Sequence, residues 1–117
     1  MMQSKTVLKP TNFEQAVHKV VSEIAELVIK KQHDYGHGNI LAFGETGIIV
    51  RMSDKMERIK NFYRKEQDAL LKGKRLPSAQ NEPKIDSFTD MAGYAIIELM
   101  IDKGWFELPL NVDCDKS

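Results

Sequence analysis

Apolar residues return every three to four positions in three stretches of this chain, the period of a helix with one buried face. Phe13, Val17, Val20, Val21, Ile24, Leu27 and Val28 mark the first stretch. Thr11 followed by Glu14 has capping-box spacing, so a helix is predicted from about Asn12 to His33. Asp34-Tyr35-Gly36-His37-Gly38-Asn39 should end it, because glycine and asparagine supply the backbone freedom of a turn, and a long loop is expected to run on to Gly47. Ile48, Ile49, Met52, Met56, Ile59, Phe62, Tyr63 and Leu70 give a second helix, stopped at Gly73. A polar connection from Lys74 to Pro83 leads to a third, which should begin near Pro83 and carry Ile85, Phe88, Met91, Ala92, Ala95, Ile96 and Leu99 on its stripe up to Gly104.

The expected fold is therefore all-α, a small bundle of three main helices with a short C-terminal segment. With 117 residues the chain has room for one domain, with its core over about 12–110 and flexible ends at 1–10 and 111–117. Ile97, Met100 and Ile101 lie off the stripe of the third helix and make its C-terminal half apolar nearly all round. Such a helix is sandwiched, and a homo-oligomer is expected. Trp105-Phe106 and Leu108-Pro109-Leu110 should fold back over the bundle.

Charge narrows the range of partners. Lys+Arg and Asp+Glu both total 17, so no long-range field draws this chain toward DNA and no direct DNA binding is expected. Any affinity for anions must be local. The single cysteine, Cys114, cannot close an internal disulfide, which suits a reducing compartment. With no apolar run of membrane-spanning length and no hydrophobic leader at the N-terminus, the reading is cytoplasmic, with no membrane partner.

Two charged stripes carry the candidate chemistry. At ~100° per residue, Arg51, Asp54, Lys55 and Arg58 share about a third of a turn beside the apolar stripe of the second helix. An Asp54–Arg58 surface pair would contribute only ~0.2–0.5 kcal/mol, and Arg51 and Lys55 repel at i,i+4 unless an anion lies between them. A planar guanidinium suits phosphate oxygens and an ammonium adds a point charge. On the third helix Glu82, Asp86 and Asp90 recur every four residues. Acids in a first turn complement the helix dipole, which covers Glu82 and Asp86 but not Asp90, two turns in. A hard cation such as Mg²⁺ would relieve their repulsion. Gly93 costs ~1 kcal/mol relative to alanine mid-helix and predicts close approach by a backbone or a ligand. Lys31, Asp34, Tyr35 and Gly36 place a cation, an acid and an aromatic ring where the first helix breaks, and Tyr35 could stack on a base. His33 and His37 have no matching set for zinc, and Gly44-Glu45-Thr46-Gly47 lacks the lysine of a phosphate-binding loop.

In order, Lys31-x-x-Asp34-Tyr35-Gly36, Gly47 with Arg51-x-x-Asp54-Lys55-x-x-Arg58, and Glu82-x3-Asp86-x3-Asp90-x3-Tyr94 resemble the nucleotide modification associated domain type 1 family, which is frequent in phage genomes. The resemblance spans about Val28 to Ile97 and implies a place in nucleotide metabolism. More distantly, carboxylates on facing helices look like the MazG-type nucleoside triphosphate pyrophosphohydrolases, in which acidic pairs hold Mg²⁺ while water attacks the triphosphate. That similarity implies metal binding by Glu82, Asp86 and Asp90, with Asp86 and Asp90 catalytic and Glu23 and Glu26 as the other acidic pair. Lys31, Asp34, Tyr35, Gly36, Arg51, Asp54, Lys55, Arg58 and Tyr94 would bind the nucleotide. The expected function is nucleotide binding, with Mg²⁺-dependent hydrolysis of a triphosphate as one form. The alternative is a non-catalytic protein that sequesters a nucleotide or a cyclic nucleotide signal.

Overall fold

Three helices form in the computed structural model, which describes residues 9–36, 38–74 and 78–111, the side chains of 78–82 excepted. They are α1 (Phe13–Tyr35), α2 (Gly38–Leu71) and α3 (Ser78–Lys103), and no strand occurs among the described residues. The chain is all-α, as the apolar period predicts. None of these helices is long and apolar enough to cross a membrane.

Local chemistry sets the ends. Asn12, not Thr11, caps α1: its side-chain oxygen accepts from Gln15 N at 2.8 Å. The side chain of Gln15 reaches back to accept from Thr11 N at 2.9 Å and from the Thr11 hydroxyl at 3.0 Å. The capping motif thus lies one residue later than Thr11/Glu14 suggests, because the Asn12 carboxamide satisfies the first-turn amide of Gln15 while the Gln15 carboxamide holds the residue before the cap. At the other end Gly36, at φ 71°, donates its amide to Gln32 O at 2.8 Å. Gly73 and Gly104 stop α2 and α3 as expected. Beyond each, the next amide bonds five residues back, Lys74 to Ala69 O at 2.7 Å and Trp105 to Met100 O at 2.8 Å, which is the Schellman arrangement.

Two boundaries differ from expectation. The loop predicted up to Gly47 is helix from Gly38 onward, interrupted only at Gly44 (φ 60°, ψ −150°). A single non-helical glycine kinks the chain without ending α2. Gly47 remains helical, and a Cβ there would stand 2.5 Å from Phe43 Cβ, so the bend needs a bare α-carbon at this position. α3 begins at Ser78 rather than near Pro83, which lies inside the helix. Pro83 is the sixth residue of α3 and lacks the amide that would bond to Ala79 O, so it breaks the ladder in the second turn. The Ser87 hydroxyl donates to Pro83 O at 2.8 Å, and Ser87 is 2% exposed.

α3 is the central element. It packs mainly on α2, while α1 lies along α3 over a shorter line and contributes no fully buried residue. Among the described residues, Ile48 and Ile59 of α2 and Phe106 beyond α3 are the buried apolar side chains. Phe106 confirms that the segment after Gly104 returns to the bundle, although Trp105 and Leu108 stay exposed, with Lys103 Nζ 5.2 Å from the Trp105 ring centre. Lys84 of α3 holds both oxygens of Glu66 of α2, at 2.6 and 2.8 Å, and ties the end of α2 to the early part of α3. Residues 1–8 and 112–117, expected to be flexible, fall outside the described residues, as do Cys114 and His37.

Candidate functional site

Where the C-terminal half of α1 crosses α3, the crossing is made close by Gly93: a Cβ there would lie 3.4 Å from Val28 Cγ2. The passing element expected at this glycine is therefore α1. Beside the crossing opens a cavity of about 290 Å³ between all three helices. Leu27, Val28, Ile40 and Ile97 form its apolar walls, Tyr35 and Tyr94 add rings, and Gln32, Asn39 and Thr89 add neutral polar groups. Lys31 of α1, Arg51 of α2 and Asp90 of α3 bring the charges.

Asp90 is the electrostatic centre of this site. Its Oδ2 lies 3.0 Å from Lys55 Nζ on α2 and its Oδ1 lies 3.5 Å from Lys31 Nζ on α1. One carboxylate thus joins all three helices. The Lys55–Asp90 pair is about one-fifth exposed on both sides, whereas Lys31 is half exposed. Partial burial makes the first contact the stronger one. Arg51 is half-buried, lines the cavity, and has no acidic partner among the described residues.

Of the residues singled out for nucleotide binding, Lys31, Tyr35, Gly36, Arg51 and Tyr94 line this cavity, and Lys55 reaches its wall through Asp90. Asp34, Asp54 and Arg58 are not among the lining residues. Asp34 accepts from Lys30 Nζ at 2.9 Å, and this bond with its charge raises the Lys30 pKa. Asp54 and Arg58 are exposed on α2. Arg58 keeps the angular position of Arg51, but seven residues carry it ~10 Å along the helix axis.

The described members of the acidic stripe differ in their surroundings. Asp86 is exposed, the Glu82 side chain lies outside the described residues, and both oxygens of Asp90 face lysines. No group of three His, Cys, Asp or Glu side chains that could hold a metal ion occurs among the described residues. A Mg²⁺ ion on Asp90 would compete with the ammonium groups of Lys31 and Lys55 for its two oxygens. Gln32, Asn39 and Thr89 were not singled out from sequence. Gln32 and Thr89 are neighbours of Lys31 and Asp90, and i,i+4 spacing from Thr89 through Gly93 to Ile97 marks the wall they share; Asn39 reads only as a turn residue.

A second charged contact lies away from the cavity. Glu98 of α3 has Oε1 shielded from solvent and without a hydrogen-bond partner. Desolvation, then the negative charges of Glu45 and Asp102, raise its pKa. Comparison of the chain with protein-family models, with characterised proteins and with solved structures finds no match.

Proposed function

We propose that this protein binds a nucleotide in the three-helix cavity, with phosphate at Lys31, Arg51 and Lys55 and the base between apolar walls and tyrosine rings. The observation that carries the reading is the convergence of Lys31, Tyr35, Arg51, Asp90 and Tyr94 on one cavity from three separate helices. Among the described residues no acid pairs with Arg51, and a guanidinium beside an apolar slot is suited to a phosphorylated aromatic ligand. The ordered motifs that resemble nucleotide modification associated chains point the same way. Binding without catalysis is favoured over triphosphate hydrolysis, since the lysines occupy Asp90.

Titration calorimetry with a panel of nucleotides, with and without Mg²⁺, tests this. A nucleotide is expected to bind, and Arg51→Ala to weaken it by roughly ten- to a hundredfold, the loss of a charge-assisted contact. If a folded Arg51→Ala variant binds as tightly as wild type, the phosphate assignment fails. Release of pyrophosphate in the same incubations would instead favour the hydrolase.

The same reading includes self-association. The stripe of α1 that meets α3 at Val28 continues toward its N-terminus through Val21, Val20, Val17 and Phe13, all exposed, with Phe13 at 78%. A second copy of the chain would cover this continuation. The sandwiched third helix expected from sequence has a weaker claim, because most of its off-stripe residues are already half-covered by the bundle.

A further inference from the structure

Resting on the nucleotide-binding reading, we propose that the cavity selects a ligand with a single terminal phosphoryl group, a nucleoside monophosphate, and that Asp90 sets this selectivity. Lys31 and Arg51 line the cavity and Lys55 adjoins it through Asp90; of these three positive charges Asp90 offsets one, which leaves two to be balanced. A phosphate monoester carries ~−1.5 to −2 at neutral pH, so it matches this count. A free triphosphate brings about two further negative charges into a wall that already holds a carboxylate.

Asp90 is in contact with both lysines, at 3.0 and 3.5 Å. It holds their ammonium groups at the cavity wall before a ligand arrives, and it repels every phosphate beyond the first. Arg51, which lines the cavity and has no acidic partner among the described residues, offers a further contact. Volume acts in the same direction. About 290 Å³ lies just below the ~300–1,000 Å³ range of small-molecule sites. Complexation with Mg²⁺ would trim the charge of a triphosphate, but the longer chain and the hydrated ion need more room than a monophosphate. Gln32 and Asn39, whose amides both donate and accept, are placed to meet a base edge or a ribose hydroxyl.

The test is a calorimetric ladder of adenosine, AMP, ADP and ATP, repeated with the guanine, cytosine and thymine series, each with and without Mg²⁺. The monophosphate of the preferred base should bind at least about tenfold tighter than its triphosphate, with or without the metal. In Asp90→Asn, shown to be folded by circular dichroism, the ratio should narrow by about threefold or more, because the repelling charge is gone. Lys31→Gln, at a half-exposed lysine, serves as the second variant and should weaken AMP about tenfold while leaving adenosine unchanged. A triphosphate that binds more tightly overturns the selectivity while the nucleotide-binding reading stands. An unchanged ratio in folded Asp90→Asn, or unchanged AMP affinity in Lys31→Gln, overturns the role of the Asp90 cluster. If no member of any series binds, the nucleotide-binding reading itself falls and this inference with it.

Discussion

Substitution of Gly93 separates its two roles, as a helix residue and as the seat of α1. Alanine gains ~1 kcal/mol over glycine in a helix interior. The added methyl would lie 3.4 Å from Val28 Cγ2, the inner edge of ordinary contact, and that methyl is the movable end of a side chain. The propensity term therefore wins. With an unfolding entropy of ~2.1 cal/mol/K per residue, a chain of this length shifts by ~4 °C per kcal/mol, so Gly93→Ala should raise Tm by about 3–4 °C. Leucine gains a similar propensity but places three more carbons against Val28. Overpacking of this kind costs ~1–3 kcal/mol, enough to cancel the gain and to lift α1 from α3. Gly93→Leu should accordingly lower Tm relative to Gly93→Ala by ~4–12 °C. It should also abolish nucleotide binding, since Leu27, Val28 and Lys31 would leave the cavity together. Thermal denaturation by circular dichroism with parallel calorimetry reads both. Equal Tm gains for alanine and leucine, with binding intact, would refute the seating of α1 on Gly93.

Three further outcomes are expected. A double-mutant cycle on Lys55→Met and Asp90→Asn in denaturant unfolding should give a coupling of ~1–2 kcal/mol, between an exposed pair and a charge-assisted hydrogen bond; additivity within error would mean the contact is not formed. Because the Glu98 pKa is raised in the folded state, the native protein binds the proton more tightly than the unfolded chain. The favourable difference is complete below the ordinary glutamate pKa of 4.5 and is lost as pH rises through the raised value. Tm of Glu98→Gln should exceed wild type at neutral pH and converge with it in acid, and parallel curves would contradict this. Light scattering should return a mass above 13.4 kDa for wild type and a smaller one for Val17→Glu/Val20→Glu; a wild-type monomer at micromolar concentration would remove the second copy from α1.

Helical periodicity made the three helices and their glycine stops legible, because Gly73 and Gly104 each follow the last apolar position of a stripe. It failed between residues 38 and 47, where Gly36, Gly38 and Asn39 read as a turn and a loop was expected to run on to Gly47. Only Gly44 takes a non-helical conformation, while Gly47 serves steric relief beside Phe43. A glycine's letter does not distinguish these uses. The arc containing Arg51 and Lys55 was likewise visible, since angle around a helix follows from sequence spacing. Position along the axis relative to other helices does not follow from it, and that coordinate separates Arg51 at the cavity from Arg58 outside it. The partners of Asp90 were hidden for the same reason. Repulsion within the stripe suggested a cation, and beside Asp90 the described cations are Lys31 and Lys55 from two other helices.

Those ion pairs also link the stability of the fold to its proposed ligand. α1 has no fully buried residue and touches the bundle mainly through α3. Yet its last turns supply Leu27, Val28, Lys31, Gln32 and Tyr35 to the cavity, so docking this helix and building the site are one event. A ligand that binds only the docked form adds RT ln(1 + [L]/Kd) to the stability of that form, ~2.7 kcal/mol at a hundredfold excess over Kd. That is comparable to what the Lys31–Asp90 contact and the Val28–Gly93 crossing can supply between them. Phosphate at Lys31 and Arg51 would fasten α1 to α2, which in the free protein meet chiefly through Asp90. The weakest seam of the bundle is thus where the ligand would act, and occupancy of the cavity and order of the first helix become the same equilibrium.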